Sequence, residues 1–165
     1  TWLSMACSDG THLNDGSKVM DVLKMIDEMD PDATRLNGIG VNCCSFVHVI
    51  PLVKLIVQNM IQSKLKRTLL IYPNSGETWD ASNETWVPST GCTNPTDFAS
   101  LISKAIDTVD NMWKDAISNG QVEEKESGGN QIRMIVGGCC RTDPTTIAAI
   151  RNQLDQYHSS SSSSS

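Results

Sequence analysis

Basic residues are in short supply: 13 Lys+Arg stand against 19 Asp+Glu in 165 residues, giving a net charge of -6 and a sequence pI near 4.9. Nucleic-acid modules usually carry a basic patch and a pI above about 9, so binding to a polyanion is not expected. A small molecule or a protein suits this charge better. Long apolar runs are also missing. None approaches the roughly 18 residues needed to cross a bilayer, and Thr1-Trp2-Leu3-Ser4 carries no charged region ahead of an apolar stretch. The expectation is no membrane association and a cytoplasmic location. The 6 cysteines fall well short of disulfide-scaffold density, and the adjacent pairs Cys43-Cys44 and Cys139-Cys140 are awkward for ordinary bridges. Reduced thiols are therefore expected. An initiator methionine is lacking as well: the chain opens at Thr1 in what reads as the middle of a strand, which predicts a fragment or a processed product. Asn83-Glu84-Thr85 matches a glycosylation sequon, with no other sign of secretion beside it.

What is present is an alternation of two periodicities. Residues 2–6, 36–42, 68–72 and 132–136 read as short strands, the last two as compact runs of Ile, Leu and Val. Val19, Val22, Leu23, Ile26 and Met29 recur at helical spacing, and residues 47–65 form a longer helix with Pro51 tolerable in its first turn. Phe98, Leu101, Ile102, Ala105, Ile106, Val109, Met112 and Trp113 mark one broad helical face, started by Asn94-Pro95 as cap and first residue. Asp143-Pro144 repeats that device before Ile147, Ile150 and Leu154. The order βαβαβαβα implies an α/β fold of parallel strands joined by right-handed crossovers. At this length one domain is expected, over residues 1–158. The serine run 159–165 cannot bury apolar surface and is expected to be a disordered tail.

Ligands of such folds sit beyond the carboxyl ends of the strands. Cys43, closing Gly40-Val41-Asn42-Cys43, and the pair Cys139 and Cys140, closing Gly137-Gly138-Cys139-Cys140, lie at those ends. Three thiolates gathered there could hold a zinc ion and leave its fourth position open, the arrangement of a catalytic zinc. Residues 73–94 form a loop far longer than the usual two to six, which predicts a functional segment. Buried cysteine is also a common packing residue, and packing is the reading for Cys7 and Cys92. His48 follows its strand end by several residues and reads as a solvated helix-start histidine.

Gly40-Val41-Asn42-Cys43, then Tyr72-Pro73-Asn74-Ser75-Gly76-Glu77 with Trp79-Asp80 and Trp86, then Gly137-Gly138-Cys139-Cys140-Arg141-Thr142 ahead of a proline, together resemble the homocysteine S-methyltransferase family. The match spans nearly the whole chain before the serine run. The resemblance implies a zinc-binding TIM-type (β/α)8 barrel, of which this chain supplies four βα units, the C-terminal half. It implies Cys43, Cys139 and Cys140 as the zinc ligands, with Cys44 at a position that is usually not one. It further implies transfer of a methyl group to homocysteine, giving methionine, from S-methylmethionine or S-adenosylmethionine, because the Tyr-Pro-Asn-Ser-Gly-Glu string is similar to that branch. Two departures stand out. The N-terminal half is absent, with the acidic residues that in the family help hold the amino group of homocysteine. Cys44-Ser45-Phe46 replaces the family's more usual small polar residue, serine and proline.

Zinc answers a chemical need, since a free thiol with a pKa near 8.5 is mostly protonated at neutral pH and a zinc-bound one is not. The homocysteine thiolate would attack the methyl of a sulfonium donor in line, so no general acid or base is expected from this half. Asn42, Asn74 and Glu77 are the candidate substrate-binding residues, Asn42 and Asn74 also reading as braces of the βα loops and Glu77 as a loop staple. Trp79 and Trp86 read as packing of the long loop or as a cover for the donor. Arg141 and Thr142 read as a structural pair at a helix start, with Thr142 capping. Two rival functions stay open: a non-catalytic zinc- or thiol-binding remnant that associates with a full-length homologue, and a redox sensor using Cys139-Cys140. Four parallel strands also leave two unpaired edges and an exposed inner face, which predicts poor solubility or pairing with a complementary half-barrel.

Overall fold

The computed structural model describes residues 1–123 and 131–162. Strand β1 (Trp2–Ala6) leads into helix α1 (Val19–Met29). Strand β2 (Gly38–Ser45) passes through a single 3-10 turn (Phe46–His48) into α2 (Val49–Ser63). Strand β3 (Thr68–Asn74) runs into a short antiparallel hairpin, β4 (Trp79–Asp80) with β5 (Thr85–Trp86), followed by α3 (Pro95–Ser118). Then come β6 (Met134–Val136) and α4 (Pro144–Ser162). The sheet order is β1-β2-β3-β6, parallel throughout. An α/β fold with a parallel sheet is thus observed.

Alternation along the strands decides which face is covered. Met5, Ile39, Val41, Leu69 and Ile71 share one face and are buried with Leu23 of α1, Ile56 of α2, Ile102 of α3 and Ile150 of α4. The intervening positions face the other way, where Trp2 is 62% and Ile135 48% exposed. All four helices therefore cover one face, and the opposite face is open at both edges. In α3 the apolar stripe expected from spacing is buried, from Phe98 through Ile102, Ile106 and Val109 to Trp113. The Asn94 side-chain oxygen accepts from the N–H groups of Thr96 and Asp97 at 2.9 and 3.2 Å, which satisfies two orphan donors at the helix start.

Several boundaries differ from the expected ones: β2 and β3 run on to Ser45 and Asn74, and the long helix ends at Ser63. Leu36 stays outside β2 because side chains take its backbone groups: its N–H donates to Asp30 Oδ2 at 3.0 Å and its carbonyl accepts from Arg67 Nε at 3.1 Å. The last strand shortens to Met134–Val136, opposite Leu69–Ile71. The long helix starts after the 3-10 turn, with Pro51 in its first turn as expected. The segment Phe46–Ser63 is long and apolar enough to cross a membrane by length and composition, which corrects the expectation that no such run exists. Val49, Leu52, Val53, Ile56, Val57 and Met60 bury its apolar face within the core, so packing accounts for that composition. The serine run continues α4 through Ser162, and residues 163–165 lie outside the described residues.

At the amino ends of the strands a buried cation ties two layers together. Arg67, with its side chain 1% exposed, pairs with Asp27 of α1 and donates to the Asp30 carbonyl and the Leu36 carbonyl. Asp30 in turn accepts from the N–H groups of Thr34, Arg35 and Leu36.

Candidate metal centre

Strand β2 carries one residue more than its partner where it ends. Asn42 lies opposite Tyr72 and Ser45 opposite Asn74, so three steps on β2 match two on β3, and Cys43 takes the left-handed conformation at φ 49. The extra residue reverses the alternation. Without it Cys43 would join Val41 beneath the helices; with it Cys44 goes into the core, 1% exposed, and Cys43 turns to the open end of the sheet. Burial pushes the Cys44 thiol up to about 12 and the Cys7 thiol up to about 11, so neither is a ready thiolate.

On the far side of β3 the parallel pairing runs past β6: the N–H of Gly137 donates to the Ile71 carbonyl and that of Cys139 to the Pro73 carbonyl, at 2.9 and 2.8 Å. The chain then folds back, and the Thr142 hydroxyl donates to the Cys139 carbonyl at 2.7 Å. A Cβ on Gly138 would overlap the Thr142 side chain, so this closure requires glycine there. Thr142 is therefore not the cap of α4. Asp143 is, its Oδ1 accepting from the N–H of Thr146 at 2.9 Å.

These two loops bring three sulfurs together. The Sγ atoms of Cys43, Cys139 and Cys140 all lie within 4.8 Å of one another, and Cys139 and Cys140 are 3.9 Å apart. Cys43 and Cys139 are joined as a disulfide pair across 96 residues, with Cα atoms 5.7 Å apart. That pairing differs from the Cys139-Cys140 pairing of the redox reading. The cause is convergence: two strand ends aimed at one point bring distant thiols within bonding reach. Cys7, Cys44, Cys92 and Cys140 are free. His48, on the 3-10 turn, is not part of the sulfur cluster.

The donor set suits a soft cation. Tetrahedral Zn–S bonds of about 2.3 Å put sulfurs about 3.8 Å apart, close to the spacing of Cys139 and Cys140.

The segment between the ligand loops is built from Asn74-Ser75-Gly76-Glu77. Asn74 Nδ2 donates to the Cys43 carbonyl at 3.4 Å, and the N–H of Ser75 donates to the Cys140 carbonyl at 3.2 Å. Gly76, at φ 76, passes so close to Phe46 and Ser45 that a Cβ would lie 2.7 Å from each. The Glu77 carboxylate receives Arg141 on both oxygens, Nε at 3.0 Å and Nη2 at 3.1 Å, and the Ser75 hydroxyl at 2.8 Å. The Arg141 and Ser75 hydrogen bonds hold the Glu77 carboxyl below the usual carboxylate range. The Arg141 guanidinium sits 5.6 Å from the Trp86 ring, and Trp86 meets Trp79 edge-on at 5.1 Å. Sequence reasoning missed the Glu77–Arg141 pair, because 64 residues separate its members and neither lies on a periodic face.

A parallel sheet covered on one face, with three thiols clustered at its carboxyl ends, defines an α/β fold with a candidate cysteine metal centre. The chain belongs to the homocysteine S-methyltransferase family, whose profile matches residues 1–154. It is 31% identical over 159 residues to homocysteine S-methyltransferase 3 of Zea mays, covering 94% of this chain and 36% of that protein. It is also 31% identical over 164 residues to selenocysteine Se-methyltransferase of Brassica oleracea var. italica, covering 99% of this chain and 38% of that one. In fold it matches the homocysteine methyltransferase MmuM of Escherichia coli in its oxidized form, at a TM-score of 0.50 and 22% identity over 92% of this chain and 35% of that one. The metallated form of MmuM gives the same TM-score at 21% identity. The chain thus spans little more than a third of the length of these relatives.

Proposed function

We propose that this chain carries the metal-binding part of a homocysteine S-methyltransferase, and that zinc held by Cys43, Cys139 and Cys140 serves transfer of a methyl group to homocysteine, giving methionine. The observation that carries the proposal is the convergence of the three sulfurs within 4.8 Å at the carboxyl ends of β2 and β6. When bound, zinc would keep the substrate thiol deprotonated. The three thiols supply the donor set, and the open face beside them leaves the fourth position to substrate. S-methylmethionine or S-adenosylmethionine is the methyl donor in this reading. Asn42 and Asn74 flank Cys43 on the substrate side, and Asn74 already braces the Cys43 carbonyl. Glu77 meets the substrate ammonium only with the lone pairs that Arg141 and Ser75 leave. The reading includes a cytoplasmic location, in keeping with a reduced, metal-loaded site.

A complementary half-barrel belongs to the proposal. Trp2, Leu3 and Ile135 on the edge strands and Met25, Met29 and Ile147 on the edge helices are exposed, where a further βα unit on each side would cover them.

The test is zinc per chain under reducing conditions, for the parent and for Cys139→Ser/Cys140→Ser. About one zinc in the parent and none in the variant, with methyl transfer once the N-terminal portion of a family member is added, is the expected result. A folded, reduced parent without zinc would refute it, and zinc binding without transfer in the complemented protein would favour the non-catalytic reading.

A further inference from the structure

We propose that Glu77 is a positioning residue: through Arg141 it fixes Cys140, the least restrained of the three sulfurs, so that Asn74-Ser75-Gly76-Glu77 acts as a bracket spanning the two ligand loops. The inference rests on the metal-binding reading of those cysteines.

Cys43 lies near the carboxyl end of β2 and Cys139-Cys140 follows β6, and these strands are not neighbours, because β3 lies between them. The spacing of the sulfurs is therefore set across the end of β3. Cys43 is tied to it by the Asn74 side chain and Cys139 by the Pro73 carbonyl. Cys139 is held a second time by the Thr142 hydroxyl and N–H, both directed at its carbonyl. Cys140 has less. It is exposed, and its carbonyl takes the Ser75 N–H at 3.2 Å.

The next residue supplies the missing restraint. Arg141 is in the left-handed conformation, φ 64, which an arginine adopts only where its surroundings impose it. Those surroundings are the two-point contact with Glu77 and the Trp86 ring. The Glu77 side chain is 7% exposed, so a carboxylate is held largely out of water for this one contact, with Ser75 orienting it. A planar guanidinium on two carboxylate oxygens fixes direction as well as distance, which a lysine cannot do. Residues that orient metal ligands commonly change metal affinity by 10–100-fold when removed.

The experiment uses the full reduced chain, with Co(II) as a spectroscopic probe and Zn(II) in competition with a chelator. Glu77→Gln and Arg141→Lys are each expected to weaken Zn(II) binding by roughly 10–100-fold. Their thiolate-to-Co(II) absorption should fall towards that of a two-sulfur site. The double variant should lose little more than either single one, as expected of residues acting as a unit. Asp80→Asn, in the neighbouring hairpin, serves as the control and should bind like the parent. Ser75→Ala, which removes only the hydroxyl on Glu77, gives a milder loss and keeps the test valid should Glu77→Gln fold poorly. A three-thiolate spectrum and parental affinity in both folded single variants would overturn the bracket and leave the metal reading intact. A reduced parent that binds neither metal overturns the metal reading, and the bracket with it.

Discussion

At Cys44 the thiol is 1% exposed and burial pushes its pKa up to about 12, while Cys43 beside it faces the sulfur cluster. One extra residue in β2 separates their chemistry. Burial leaves Cys44 and Cys7 with very little of the reactive thiolate at pH 8. After reduction, iodoacetamide at pH 8 is therefore expected to modify Cys140 first, then Cys43 and Cys139. Cys7 and Cys44 should stay unmodified until denaturant is added. Peptide mass spectrometry follows the order, and early labelling of Cys44 would mean that the bulge does not turn it inward.

Among the elements, the junction of α1 with the start of β3 depends on Arg67. Its partners Asp27 and Asp30 have side chains only 15% and 8% exposed, so removing the cation strands two carboxylates in poor contact with water. Arg67→Met is expected to destabilise the fold by about 3–5 kcal/mol, read from urea unfolding. A loss below about 1 kcal/mol would show that water reaches the site freely. The same junction makes stability depend on pH. Hydrogen bonds from the N–H of Leu36, and then from Arg35 and Thr34, lower the Asp30 pKa in the folded chain, with Arg67 adding to the effect. A folded pKa below the unfolded one gives stability that is complete above the ordinary aspartate value near 3.9 and is lost as pH falls through the folded value. The melting temperature should hold from pH 5 to 7 and drop below about pH 4, and Asp30→Asn should flatten that drop while lowering the plateau.

For the whole molecule, the covered and open faces of the sheet make opposite demands. The helix-covered face is a finished core. The other exposes Trp2 and Ile135, and edge strands β1 and β6 have no further strand beside them among the described residues. The 165-residue chain is expected to self-associate at micromolar concentration. Trp2→Lys with Ile135→Lys should shift it towards monomer in sedimentation velocity without loss of helical signal. A parent that sediments as a monomer throughout would argue that the open face tolerates water.

Much of this was legible in one dimension. Strand β1, helix α1, the buried stripe of α3 and its Asn94 cap follow from spacing and cap chemistry, because these are local preferences of neighbouring residues. The three cysteines stood out as closing residues of strand-like runs, and the family strings placed them in order. The β4–β5 hairpin was not legible, since two-residue strands have no period to detect. The choice of Cys43 over Cys44 came from the family strings, since hydrophobic period alone cannot place the single bulge that turns the two apart. What the sequence determined by itself is the alternation of strands and helices and the residues offered at strand ends, because hydrophobic period and turn chemistry act over a few residues. Tertiary structure alone decided how close the three sulfurs come and that Glu77 holds Arg141. Those depend on the order β1-β2-β3-β6, which brings residues 64 to 96 positions apart into contact and which no local preference encodes.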